Sequence, residues 1–164
     1  MTSHRPFCTC WPGATVWLTG LPGAGKTTIA RGLARRLEAA GRRVHVLDGD
    51  EVRVLLGVDP GPSREQRIAD VQRVGLIAEV LARNGVLALV PVIATDARAT
   101  AAVRERHGQS ATTCLEVHVS TGLTGADDPY EAPARLDLTL PAHRQSAEES
   151  VTALLNLLKE RELA

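Results

Sequence analysis

Apolar residues fall into alternating short runs and longer periodic stretches along the chain. The runs Ala14 to Thr19 and Val44 to Leu47 are short, rich in β-branched residues and bounded by Gly or charge, so both read as buried strands. Between them, Lys26 to Ala40 sets Ile29, Leu33 and Leu37 on one helical face with Arg31, Arg35 and Arg36 mostly off it, and Gly41 closes the helix. Ser63 opens a capping box with Gln66, and Ile68, Val71, Val74, Ile77, Ala78 and Leu81 then recur at helical spacing until Asn84-Gly85. Val86 to Ile93 is apolar almost throughout, as a central parallel strand covered on both faces would be. A shorter helix is predicted over Ala97 to His107, stopped by Gly108. Strands follow at Leu115 to Val119 and, more weakly, at Leu136 to Leu140 with Asp137 inside it. A last helix runs from Ser146 to Glu162, opened by Ser146 with Glu149. Strands alternating with helices of this length predict an α/β fold with a parallel sheet and right-handed crossovers. The division expected is a tail over 1–13 and one domain over 14–164, with Ser120 to Pro133 as its substantial irregular segment.

Composition narrows the function classes. Nineteen Lys+Arg balance nineteen Asp+Glu, so no net field gathers nucleic acid or an anionic membrane. No stretch approaches the roughly 20 apolar residues that span a bilayer, and the first residues lack the apolar run of a secretory signal. A cytoplasmic protein is expected. Only two lysines occur, Lys26 and Lys159, against seventeen arginines, which makes the identity of each lysine informative. Four aromatics (Phe7, Trp11, Trp17, Tyr130) leave few rings on which a planar ligand could stack. Cys8, Cys10 and Cys114 are odd in number and form no disulfide framework. Cys8-Thr9-Cys10 with His4 falls short of the four ligands of a structural zinc site.

Gly20-Leu-Pro22-Gly23-Ala24-Gly25-Lys26-Thr27-Thr28 carries the chemistry. It fits G-x-x-x-x-G-K-[ST] between an apolar strand and an amphipathic helix, the context in which glycines let successive N–H groups face one phosphate. The helix N-terminus adds partial positive charge, Lys26 is expected to face solvent and bridge the terminal phosphates, and Thr27 offers its hydroxyl to Mg²⁺. The fold class is therefore a P-loop NTPase-type sheet flanked by helices, with ATP and Mg²⁺ as expected cofactors. Guanine recognition through Asn-Lys-x-Asp is excluded, since Lys159 stands between Leu158 and Glu160. Val86 to Ile93 runs into Ala94-Thr95, so the metal-side carboxylate must come from elsewhere.

Asp48-Gly49-Asp50-Glu51-Val52-Arg53 supplies it at the end of the second predicted strand, where α/β folds bind ligands. In an extended segment Asp48 and Asp50 project to one side. Asp50 there can take a hydroxyl proton or orient Mg²⁺, and Arg53 can hold an anionic acceptor. The alternative is an acidic N-cap for a helix over Val52 to Leu56.

These segments, together with Ser63-Arg64-Glu65-Gln66-Arg67 and Thr124 to Pro133 (Asp128-Pro-Tyr-Glu-Ala132-Pro133), resemble adenylylsulfate (APS) kinases in the same order over about residues 14–160. The resemblance implies transfer of the γ-phosphate of ATP to the 3′-hydroxyl of adenylylsulfate. It implies Asp50 as base or metal organiser, Arg53 and Arg67 at the acceptor, and Ala132-Pro133 near the ATP base. The chain also departs from the family pattern. Pro62 stands where the family has a clamp Phe and Asp70 where it has Asn, Ile93-Ala94-Thr95-Asp96-Ala97 replaces Ile-Ser-Pro-aromatic-Arg, and the long basic lid is cut to Ser120 to Leu123.

The expected function is a small-molecule kinase of this type with a changed acceptor, Asp70 and Asp96 suiting a cationic or zwitterionic alcohol. The alternatives are a genuine adenylylsulfate kinase with a minimal lid and a nucleotide-binding module without turnover. No nucleic-acid or membrane partner is expected, and a homodimer is left open.

Overall fold

The computed structural model describes residues 11–57, 63–93, 96–123 and 135–164. Cys8-Thr9-Cys10, Pro62, Ala94-Thr95 and the Thr124 to Pro133 segment lie outside the described residues.

Five parallel strands form one sheet in the order β2-β3-β1-β4-β5. The first strand of the chain is central: β1 (Ala14–Thr19) is buried at all six positions and pairs with β3 (Leu87–Pro91) on one side and β4 (Thr113–Ser120) on the other. A strand with no solvated face must be apolar on both, as its uninterrupted run predicted. The edges are β2 (Val44–Val46) and β5 (Leu138–Pro141), both shorter. Val16 and Leu18, with Leu89 and Leu115, face a layer that includes Leu33 of α1 (Lys26–Ala39) and Leu154 of α5 (Ala147–Glu160). Trp17, Ala88 and Val90 face the opposite layer, with Val74 of α3 (Arg64–Arg83) and Val103 of α4 (Ala97–Gln109). Both predicted capping boxes form, Ser63 with Gln66 and Ser146 with Glu149. Among the described residues no helix is long and apolar enough to cross a membrane.

Three local expectations are corrected. The helix after β2, α2 (Gly49–Leu56), begins at Gly49 instead of Val52, because the Asp48 side chain accepts a hydrogen bond from the Asp50 N–H and starts the turn early. Gly108 does not stop α4. It occupies the last turn, where a glycine costs only about 1 kcal/mol, and the chain leaves the helix through Ser110 and the left-handed Ala111. Asp137 precedes β5 instead of lying within it. Its carboxylate accepts from the Glu116 N–H and from Arg104, so the polar residue that weakened the strand pattern anchors the strand's entry.

Candidate functional site

β1, β2 and β3 end at the same edge of the sheet, and their connections to α1, α2 and α4 converge there. The phosphate loop leaves β1 through Gly20, whose φ is 145° and whose added Cβ would lie 2.4 Å from the Val119 carbonyl oxygen, so a larger residue would push the loop off β4. Ala24 is buried and its N–H donates to the Leu21 carbonyl, which closes the loop. Gly25 caps α1 with a φ of 89°, a conformation that gives the cap to glycine and leaves no side chain between the first N–H groups and a ligand.

Lys26 departs from its expected orientation. It is buried, and its Nζ donates to the Gly20 and Leu21 carbonyl oxygens, each at 2.7 Å. Burial lowers the Lys26 pKa, opposed by the nearby Asp48 charge.

A cavity of about 390 Å³ opens beside the loop. Pro22, Gly23, Lys26 and Thr27 form its phosphate side, and Asp48, Asp50 and Arg53 stand across from them. Its far wall is Arg67, Asp70, Val71 and Val74 of α3 with Pro91, Val92 and Ile93 beyond β3. Of the sequence-predicted residues, Pro22, Gly23, Lys26, Thr27, Asp48, Asp50, Arg53, Arg67 and Asp70 meet in this lining, whereas Gly20, Ala24, Gly25 and Thr28 of the loop stand outside it and Ala132 and Pro133 lie outside the described residues. The aliphatic wall escaped sequence reading. Val71 and Val74 were read as core, and nothing in the periodicity separates a core valine from one at a cavity lip.

The two aspartates do different things. Asp48 spends one carboxylate oxygen on the α2 cap, and its other oxygen accepts from the Thr27 hydroxyl at 3.4 Å. Asp50 lies in the first turn of α2, its side chain 72% exposed, and pairs with Arg53. The extended Asp48/Asp50 pair expected from the sequence is therefore replaced by an N-cap and a first-turn residue. The carboxylate that meets the Thr27 hydroxyl is Asp48, not the Asp50 that the sequence paired with Thr27 at a metal. This hard-oxygen pair beside a phosphate loop fits Mg²⁺, which takes one or two protein oxygens and completes its shell with phosphate and water. Among the described residues there is no cluster of three or more His, Cys, Asp or Glu that could hold a metal unaided.

The acceptor-side acids are also not as expected. Asp70 is buried at the cavity wall but bonded to Arg73 at 2.5 Å. Asp96 takes Arg64 at 2.5 Å, with Arg98 at 3.6 Å, and the Arg64 hydrogen bond holds its carboxyl below the usual range. Each negative charge that favoured a cationic acceptor already has an arginine.

The family model for adenylylsulphate kinase matches residues 12–123, ending just before the 124–134 segment. An adenylyl-sulfate kinase of Picosynechococcus sp. is 36% identical over 171 residues, covering 90% of this chain and 94% of that protein. That span is longer than the whole 164-residue chain, so the relative carries residues within it that this chain lacks. An adenylyl-sulfate kinase of Rippkaea orientalis is 37% identical over 171 residues, covering 90% of this chain and 92% of that one. The structure of the Mycobacterium tuberculosis APS kinase in complex with AMPPNP and APS superposes with a TM-score of 0.81 at 32% identity, covering 90% of this chain and 98% of that one. The order of motifs, the P-loop fold and these near-full-length matches agree: the chain belongs to the adenylylsulfate kinase family, phosphotransferases of alcohol acceptors.

Proposed function

We propose that the protein transfers the γ-phosphate of ATP to the 3′-hydroxyl of adenylylsulfate, with Mg²⁺. The observation that carries this reading is the pairing of Asp70 with Arg73 and of Asp96 with Arg64. With both acids compensated, the acceptor side loses its bias toward cations, and Arg53 and Arg67 in the lining suit a phosphosulfate. The aliphatic wall of Val71, Val74, Val92 and Ile93 offers an apolar surface for a base. The relatives that match over most of the chain are named for this activity.

In this reading the loop N–H groups and the α1 N-terminus hold the β- and γ-phosphates. Lys26, within reach of the loop through its bonds to the Gly20 and Leu21 carbonyls, supplies the cation for the terminal phosphates. Thr27 and Asp48 would hold Mg²⁺, which neutralises charge on the phosphates when bound. Asp50 accepts the proton of the attacking hydroxyl while Arg53 and Arg67 hold the acceptor's anionic groups. The hydroxyl oxygen forms the new bond to phosphorus as ADP leaves.

A second reading, a changed alcohol acceptor, is favoured by the lid cut to Ser120 to Leu123 and by the end of the family match at Leu123. Steady-state phosphorylation of adenylylsulfate separates the two. A kcat/KM at or above about 10⁴ M⁻¹s⁻¹, the lower end for ordinary enzymes, is expected. Turnover below about a hundredth of that, with faster ADP release on another small alcohol, would replace the first reading by the second.

A further inference from the structure

The α3 helix forms the far wall of the cavity, and two of its contacts with α4 differ in character, while beyond them Glu79 of α3 reaches Arg106 of α4 at 4.0 Å. At its middle, Gly75 lies so close to Val103 that an added Cβ would sit 2.5 Å from a Val103 methyl, so the two helices are pressed together there. At their starts the contact is polar. Asp96, the N-cap of α4, accepts from the Arg98 N–H through Oδ1 at 2.9 Å and from the Arg64 Nε through Oδ2 at 2.5 Å. One carboxylate, its side chain 13% exposed, therefore both begins α4 and holds the first turn of α3. Arg67, Asp70, Val71 and Val74, the α3 residues that line the cavity, all lie between the two contacts.

From this placement we infer that Asp96 is a positioning residue for the acceptor: through Arg64 it fixes the swing of α3 about Gly75 and so the distance of Arg67 from the phosphate loop. The inference deepens the acceptor reading above and rests on it. The two contacts divide the work. The Gly75–Val103 contact is apolar and close-packed, and sets where the helices cross. The Arg64–Asp96 contact lies farther from the crossing, where a small rotation gives a larger displacement. The same logic explains why the position is acidic here. An N-cap needs only a short oxygen-bearing side chain, which Ser, Thr or Asn would also provide, but the second bond to a guanidinium asks for a carboxylate.

The capping and tying roles separate by substitution. Asp96→Asn keeps a good N-cap and removes the charge that holds Arg64, whereas Arg64→Ala removes the partner and Arg64→Lys keeps a cation. Expected results are a rise of about three- to fivefold in acceptor KM for Asp96→Asn and for Arg64→Ala, the range of a partly exposed ion pair. ATP KM and kcat should stay within twofold, Arg64→Lys should return to near wild type, and the double variant should be no worse than either single one. Amide exchange over 64–70, read without any acceptor, should quicken in Asp96→Asn. Unchanged exchange would overturn the tie whatever the acceptor proves to be. Quickened exchange with an unmoved acceptor KM would reduce it to a structural contact. A wild-type enzyme inert toward adenylylsulfate would instead overturn the acceptor reading, and the exchange result would still decide the tie.

Discussion

The two sides of the cavity are built to different standards. On the nucleotide side, a wholly buried central strand leads into a loop whose lysine is already bonded to loop carbonyls and whose helix buries Ile29, Ala30, Leu33, Ala34 and Leu37. On the acceptor side, α2 buries only Val52 and leaves Val54 80% and Leu55 77% exposed, while Asp50 and Arg53 find each other near the surface. Burial beside β1 and hydrogen bonds among its own residues hold the phosphate loop in shape. The acceptor groups lack that support, so their final geometry must come in part from the substrate. The phosphate loop is packed into the centre of the sheet, whereas the α2 groups proposed to meet the acceptor are held at the surface.

The largest test of that contrast is Lys26→Ala. Removing a donor aimed at the transferring phosphate should lower kcat/KM at least about 100-fold. The burial penalty and the two lost hydrogen bonds oppose each other, so the nucleotide-free Tm should move by less than roughly 2–4 °C. Turnover near the wild-type rate would remove the loop from the mechanism, and a large fall in Tm would show that the loop is rigid because of Lys26 and not because of β1.

Next in size are the two aspartates. Asp48→Asn keeps the α2 cap but weakens the oxygen beside Thr27, and should raise the Mg²⁺ concentration needed for half-maximal rate. Asp50→Asn should leave the Mg²⁺ requirement alone and cost about 10² to 10⁴ in kcat. If the Mg²⁺ requirement shifts with Asp50→Asn and not with Asp48→Asn, the two roles are reversed and the acceptor side reaches further toward the phosphates than the hydrogen bonds indicate.

The smallest effect sharpens the account of the rigid side. His107 is fully buried, with Nδ1 2.8 Å from the Val103 carbonyl oxygen and Nε2 2.8 Å from the Thr15 hydroxyl of β1. A carbonyl only accepts, so Nδ1 carries the proton, Nε2 accepts from Thr15, and the imidazole is neutral. Burial is the main reason its pKa lies below the ordinary 6.5. Below that value the unfolded chain binds a proton that the folded one resists, so stability is complete above about pH 6.5 and declines as pH falls toward the folded value. A drop in Tm of roughly 2–4 °C between pH 7.5 and 5 is expected. His107→Gln should flatten it, and acceptor KM measured at constant pH should not respond. A pH profile indifferent to the substitution would place the acid sensitivity elsewhere in the fold.

Much of the fold and the nucleotide half of the site was legible in the chain, for local reasons. A strand buried on both faces has to be continuously apolar, a phosphate loop needs glycine where φ is positive, and a capping box lies within four residues. Ala14–Thr19, Gly20 to Thr28, Ser63 with Gln66 and Ser146 with Glu149 therefore announce themselves. Helix ends were less secure, because Gly108 and Ala111 compete for the same termination and the weaker signal won.

Charge pairing was not legible. Arg64 and Asp96 are 32 positions apart, and Glu116 of β4, Asp137 at the entry to β5, Arg104 of α4 and Arg161 at the end of α5 are brought together. Seen as letters, Asp70 and Asp96 are unpaired negative charges, which is why they suggested a cationic acceptor. The packing of α3 against α4 supplies Arg64 to Asp96, whereas Asp70 takes Arg73 from the next turn of its own helix, and the Asp48 cap of α2 decides that Asp48 and not Asp50 stands at Thr27. Periodicity and turn chemistry act within a few residues and survive in sequence, whereas electrostatic partners depend on distances set only when the sheet and its helices have closed together.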